Sequence, residues 1–428
     1  MYRMVRRTLV VGGLMTVLAG CGAPETAAPG GADAGGQQAA QDDKQAPKNA
    51  IKVGVLTGLT GDYGPWGEAG LAAARIAADE INAAGGILGR QVQLVVADNR
   101  SSVEGAVAGW KKLVEVDKVV SVVGMESDAA VALVDEAAAA KVPIFCPACG
   151  TPALDTKGGD YVWRLTSGDS DLGVALAQVA LEKTKKIVVM TQQGLEATEG
   201  ISDVFLPAFK KGGGTVAEDI RFSGEATTFQ AELEKAFSAS DTVMLSSGLE
   251  PGTRLITEWQ RRGYKGTFLM IPELISPEVA KLGRGALDGI AFGVNPAYPT
   301  DSVAFKSLAE RYKAKEGKDP SAALYEPNYY DQVIVAALAA TAAGEATGQG
   351  IRDNLTKIAN EPGTVVESYA DGVKALKAGD DIAYTGASGP VEFDDHGGVT
   401  SLFAELEAKD GNWPELRTVK LDPALRGE

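Results

Sequence analysis

The chain has 428 residues, 45% of them hydrophobic, with a formal net charge of -16 and a pI near 4.7. This acidic balance argues against nucleic acid and anionic lipid headgroups as partners of a folded body, because both reward clustered Lys and Arg. After the N-terminal leader no apolar run approaches the length of a membrane span, since even Val333 to Ala343 stops at Gly344 and Glu345.

In chain order, Arg3, Arg6 and Arg7 precede an apolar stretch from Leu9 to Ala19. That stretch is too short to cross a hydrocarbon core of about 30 Å and reads as a signal peptide. The twin arginine at Arg6 and Arg7 is a weak hint of a second export route. Leu18-Ala19-Gly20-Cys21 resembles the bacterial lipobox, which implies acylation of the Cys21 thiol and cleavage before it. On that expectation residues 1–21 are a lipoprotein signal peptide, and the acyl chains are the only membrane anchor. The alternative is an ordinary signal peptide that happens to be followed by a cysteine. Residues 22–50 are rich in Ala, Gly, Gln and Pro, cannot offset their ordering entropy, and are expected to form a flexible linker.

From Ile51 onwards short apolar runs alternate with helical periodicity. Strands are expected at Ile51 to Leu56, Gln91 to Ala97, Val119 to Val123 and Ile144 to Cys146, with helices at Glu68 to Asn82, Val103 to Val116 and Asp128 to Ala140. A second series follows Trp163, with helices at Leu172 to Lys183, Gly200 to Lys211, Phe229 to Ala236 and Pro251 to Arg262. Its strands are Ile187 to Met190, Thr215 to Ile220, Thr242 to Leu245 and Thr267 to Met270. Helices Ser302 to Lys315 and Tyr329 to Ala343 come afterwards. Short apolar strands separated by helices indicate parallel sheets covered on both faces, here two in tandem. Ligands bind such sheets beyond the carboxyl ends of the strands, at the switch point, so the loops after Leu56, Val123 and Cys146 are the first candidates. The glycines after the first strand do not make a G-x-G-x-x-G fingerprint, and there is no P-loop, which argues against a nucleotide-using enzyme.

The chain has three cysteines and one histidine. With Cys21 lipidated, Cys146 and Cys149 remain, spaced C-x-x-C. They can be two small buried pocket residues, a short-loop disulfide or a redox centre; the absence of other redox features favours the first. A metal site is disfavoured because His396 is remote in sequence.

The segment Glu80 to Arg90 (EINAAGGILGR), continuing into QVQLVVAD, resembles the branched-chain amino-acid binding proteins of ABC importers. So do IKVGVLTGLTGDYGPWG, VPIFCPACGTPAL, KGGDYVWRLTSGD and GPVEFDDHGG, in order, from Ile51 to Gly398. The resemblance implies a type I periplasmic binding fold: two Rossmann-like α/β lobes with parallel-sheet cores, joined by a three-segment hinge. Lobe 1 is then expected to combine residues 51–168 and 297–397, and lobe 2 residues 169–296 and 398–428. It implies a non-enzymatic receptor without cofactor that closes on a small ligand, an amino acid or a related compound, and hands it to an ABC permease. The alternative is a sensory module for an amide or small carboxylic acid.

The resemblance also implies site residues. Ser127 and Ala148, Cys149 and Gly150 match positions that hold an α-carboxylate, in keeping with the unpaired N–H groups of a helix start. The family's threonine aligns with Gly150, with Thr151 adjacent as a replacement. Glu273, after strand Thr267 to Met270, matches the acid that pairs with the ammonium group. Trp66 matches an aromatic flank of the ligand. Two further aromatic positions fall on Ala197 and near Leu249, which would enlarge the pocket, and Tyr325 and Glu326 could add polarity.

Overall fold

The computed structural model describes residues 47–282, 285–320, 325–399 and 402–425. The leader, Cys21 and nearly all of the linker lie outside the described residues. The first sheet is built from β1 (Ile51–Thr57), β2 (Val92–Asp98), β3 (Ser121–Val123), β4 (Ile144–Cys146) and β5 (Val162–Arg164). Their order is β2-β1-β3-β4-β5 and every pairing is parallel. β1 is almost wholly buried, as a parallel strand covered by helices on both faces must be.

Helix α1 (Gly64–Ala83) begins four residues before the expected Glu68, with Pro65 in its first turn; proline lacks only an N–H that has no partner there anyway. Helix α2 (Val103–Lys111) is capped by the Ser102 hydroxyl, which accepts from the Gly105 amide, and runs into a π-turn at Lys112–Asp117. The single helix expected over Asp128 to Ala140 is two, α3 (Ser127–Ala132) and α4 (Val134–Ala140), broken at Leu133.

Helix α5 (Asp169–Lys183) leads into the second sheet. Its strands are β6 (Lys186–Gln193), β7 (Thr215–Ser223), β8 (Thr242–Ser246), β9 (Thr267–Met270) and β10 (Ala291–Ala297). Between them run α6 (Glu196–Lys211), α7 (Gln230–Ala239) and α8 (Leu249–Arg262). The chain then returns to the first lobe with α9 (Val303–Glu316), α10 (Glu326–Ala343), α11 (Gly348–Ala359) and α12 (Tyr369–Ala378). There β11 (Thr364–Val366), β12 (Ile382–Gly386) and β13 (Gly389–Pro390) form a small separate sheet. Finally β14 (Leu402–Glu407) and β15 (Glu415–Val419) extend the second sheet as antiparallel strands beyond β10. The second sheet reads β7-β6-β8-β9-β10-β14-β15, so in both sheets the first strand lies between the second and the third.

The core of the first lobe is centred on α10, in which every residue from Glu326 to Ala340 is buried. Its face is held close to α1 by Gly70, where a Cβ would stand 2.5 Å from the Tyr329 ring. The connections between lobes lie side by side. The Arg164 amide donates to the Gly397 carbonyl at 2.7 Å, the Asn328 amide group donates to the Leu165 carbonyl, and Tyr298 donates to Asn328 Oδ1 at 2.5 Å. Among the described residues no helix is long and apolar enough to cross a membrane.

Candidate functional site

Parallel sheets deliver their loops to the carboxyl ends of the strands, and the two sheets point these ends at one another. From the first lobe come Ala148 and Gly150 after β4 and Thr166 and Ser167 after β5, while Asp169 and Leu172 open α5, where the chain passes into the second lobe. From the second come Ala197 and Ile201 of α6, Glu273 in the single 3-10 turn Pro272–Leu274 after β9, Pro296 of β10 and Phe403 of β14. Tyr325 completes the wall. It does so from a left-handed backbone conformation, φ 58°, which is uncommon for a residue with a Cβ and marks a side chain held in place by its surroundings.

Two carboxylates dominate this cavity. Glu273 is buried and, among the described residues, its Oε2 has no hydrogen-bond partner. Burial pushes its pKa up to about 7, because a carboxylate removed from water holds its proton more tightly. Asp169 is likewise buried with Oδ2 unpartnered. Its pKa is raised well above the ordinary range, first by burial and then by the charge of Glu273, while Arg164 pulls the other way. Arg164 itself is paired with Asp155 at 2.8 Å. A cation between the two acids would relieve both penalties at once.

Gly150 explains how Asp169 fits. A Cβ at Gly150 would stand 1.8 Å from Asp169 Oδ1, so the aspartate occupies the space that a side chain at position 150 would need. The Gly150 carbonyl in turn accepts from the Asp169 amide at 2.5 Å. The adjacent Thr151, the expected stand-in for the family's threonine, is engaged elsewhere: its hydroxyl donates to Glu196 Oε1 across the cleft at 2.8 Å.

Ser127 opens α3, is buried, and its hydroxyl has no partner among the described residues, but like Cys149 and Thr151 it does not line the cavity. Cys149 is buried and bonded to Cys146 in a disulfide, so the pair is not two free thiols. The bridge closes the turn that carries Ala148 and Gly150. Trp66 is buried in the first turn of α1 and stacks on Tyr63 with ring centroids 5.4 Å apart; it is not among the residues lining the cavity. Leu249 begins α8 and packs at the edge of the second lobe's core, and Glu326 is buried at the start of α10, both outside the lining.

Asp169, Thr166, Ser167 and Tyr63 were not anticipated. Asp169 ends KGGDYVWRLTSGD, one of the segments that carry the family resemblance. Tyr63 precedes Trp66 by three residues; its hydroxyl donates to Asp128 Oδ2 at 3.3 Å. Its pKa is raised by burial and by Asp128, Glu126 and Glu273. Tyr63, Glu126 and Asp128 line a neighbouring cleft of about 280 Å³ that Gly194 and Leu195 close from the second lobe. Among the described residues no group of three or more His, Cys, Asp or Glu is placed to hold a metal ion.

Two sheets facing across a polar cavity, joined by three adjacent connections, define a two-lobed solute-binding protein. The family model described as "Periplasmic binding protein" matches residues 50–404, and the chain belongs to that family. A protein of Pseudomonas aeruginosa named "Amino acid binding protein" is 26% identical over 278 residues, 62% of this chain and 72% of that protein. The branched-chain amino acid transporter substrate-binding protein LivJ of Streptococcus pneumoniae, solved with isoleucine, superposes with a TM-score of 0.73 at 24% identity, covering 87% of this chain and 100% of that one. A solute-binding protein of an ABC transporter from R. palustris, solved with benzoate, superposes with a TM-score of 0.71 at 21% identity, covering 88% and 99%.

Proposed function

We propose that this protein captures a small α-amino acid between its lobes outside the cytoplasm, tethered through a lipidated Cys21, and delivers it to the permease of an ABC importer. The observation that carries the ligand class is the pair of buried acids facing one cavity, Asp169 where the chain first passes between the lobes and Glu273 on the second lobe, each with an oxygen lacking a partner among the described residues. An ammonium group between them forms charge-assisted hydrogen bonds and cancels their mutual repulsion. The turn at Ala148 and Gly150 and the neighbouring Thr166 are assigned to the carboxylate end of the ligand, while Leu172, Ala197, Ile201 and Phe403 face its apolar side chain. Lobe 1 is taken as residues 51–168 with 297–397, and lobe 2 as 169–296 with 398–428. The ligand stabilises the closed arrangement because only there do the first-lobe turn at Ala148 and Gly150 and the second-lobe Glu273 reach it together.

A second reading rests on the position of Glu273 near neutrality. Protonated, it donates to a carbonyl or carboxylate, which suits a small amide or carboxylic acid and a sensory rather than a transport role. Calorimetric titration of L-amino acids, amides and benzoate across pH separates the two. Affinity for an ammonium-bearing ligand rises as pH climbs through about 7 and Glu273 ionises. Affinity that falls over the same range, or binding confined to ligands without an ammonium group, would reject the amino-acid reading.

A further inference from the structure

The N-terminus of α6 lacks a cap of its own. The residue before it, Leu195, offers no side-chain acceptor, yet the first amides of a helix have no partner within it and favour a nearby negative charge. The Glu196 amide finds its acceptor on the other lobe, donating to Asp128 Oδ1 at 2.8 Å. The second oxygen of Asp128 accepts from Tyr63 at 3.3 Å. In the opposite direction the Thr151 hydroxyl donates to the Glu196 carboxylate at 2.8 Å. Thus the loops after β3 and β4 of one lobe are both fastened to the first residue of one helix of the other.

We propose that Asp128 caps α6 in trans and that this cap, together with the Thr151–Glu196 hydrogen bond, is a latch that sets how long the lobes stay closed. None of the three side chains lines the cavity that holds Asp169 and Glu273, so the latch is separate from those two acids. The latch is positional: every opening of the cleft strips the Glu196 amide and the Thr151 hydroxyl of their partners, and every closing restores them. Burial of Asp128 chiefly, and then the charges of Glu196 and Glu199, oppose its ionised form, while the Glu196 amide and the Tyr63 hydroxyl favour it. The Asp128 carboxylate serves as an acceptor, a role an asparagine side chain performs equally at a helix start. The inference rests on the two-lobed closure described above and not on the identity of the ligand.

Hydrogen–deuterium exchange of the full-length protein reads the latch directly, with and without L-leucine as the probe. Asp128→Ala is expected to speed exchange of the Glu196 amide about tenfold, equivalent to about 1.4 kcal/mol, while the α6 interior from Ile201 to Phe209 exchanges as in the wild type. Asp128→Asn restores most of the protection, and Thr151→Val loses about half of the effect on a logarithmic scale. Unchanged exchange at Glu196 in Asp128→Ala, both with and without L-leucine, overturns the latch. So does equal loss in Asp128→Ala and Asp128→Asn. If Asp128→Ala speeds exchange but L-leucine alters nothing in the wild type, the latch stands and leucine is excluded as the ligand.

Discussion

Two kinds of buried carboxylate occur in this molecule. Asp331, in the first lobe, is fully buried and receives four donors: Tyr384 at 2.8 Å and the Ala387 amide at 3.0 Å on one oxygen, the Ser388 amide at 2.6 Å and the Ser388 hydroxyl at 2.5 Å on the other. Glu126 is similar, with Thr57 at 2.9 Å, the Gly58 amide at 2.7 Å and Asn99 at 2.6 Å. In the cleft, Asp169 and Glu273 each keep an oxygen without a donor. Burying a charged group without hydrogen bonds costs free energy, and a fold that tolerates it twice at one place has reserved those oxygens for something else. The satisfied acids pin turns within a lobe; on the proposed reading the unsatisfied ones take their partner from the bound ligand.

The sharpest way to break this contrast is to remove one member of each kind. Asp331→Ala would leave several buried donors around the β12–β13 turn unpaired and is expected to destabilise the protein by about 3 kcal/mol or more, read as a lower urea midpoint with unchanged slope. Glu273→Gln should leave the urea midpoint nearly unchanged or raised, because it removes an uncompensated buried acid. Yet it should weaken binding of an amino-acid ligand by about 2 kcal/mol, roughly thirtyfold, in calorimetry. If instead Glu273→Gln unfolds the protein and Asp331→Ala does not, the division between structural and ligand-facing acids is wrong.

Titration sharpens the contrast further. Glu273 holds its proton up to about pH 7 and Asp331 to about 6, each raised chiefly by burial. In the unfolded chain both lose it near their ordinary values of 4.5 and 3.8. The native state therefore binds more protons in between, so the contribution of each to stability is fully present below the unfolded value and is lost as pH rises through the folded one. Ligand-free stability should fall from about pH 5 to about pH 8, by a few kcal/mol at most. In Glu273→Gln the part of that fall between about pH 6 and pH 8 disappears. A ligand that supplies an ammonium group should flatten the same segment, since it favours the ionised Glu273.

The repeated strands and helices were legible because a parallel sheet imposes continuous apolar runs and its covering helices a regular period. What escaped were elements whose reason lies in tertiary contacts. β5 is three residues long, too short for a distinct apolar run; β14 depends on β10 for its pairing, and β15 on β14. The break at Leu133 has no proline or glycine to announce it. Of the residues that line the cavity, Ala148, Gly150, Glu273 and Tyr325 are singled out by the family resemblance, which matches segments that follow a strand or open a helix. Asp169 is not, because its significance depends on the missing side chain at Gly150. The partner of Thr151 was equally hidden, since Glu196 lies in the other lobe and no local pattern links the two. The state of Cys146 and Cys149 was undecidable from C-x-x-C spacing alone.

Gly150 offers the mildest test, and the one that bears most directly on how the unsatisfied acids are positioned. Its backbone needs no positive φ, so a methyl group at this position meets no intrinsic conformational penalty; the obstacle is Asp169, whose Oδ1 lies 1.8 Å from where the Cβ would be. The carboxylate must swing aside, and because it already has an unpartnered oxygen it gives up no side-chain hydrogen bond in doing so. Gly150→Ala should therefore fold with stability within about 1 kcal/mol of wild type, while amino-acid affinity falls about tenfold, equivalent to about 1.4 kcal/mol, as Asp169 leaves the position opposite Glu273. Asp169→Asn combined with Gly150→Ala should cost little more than either alone, since both act on the same ammonium contact. Additive losses in that double-mutant cycle would mean that Gly150 and Asp169 serve the ligand separately, and that the glycine is there for the backbone approach of the ligand and not to make room for the acid.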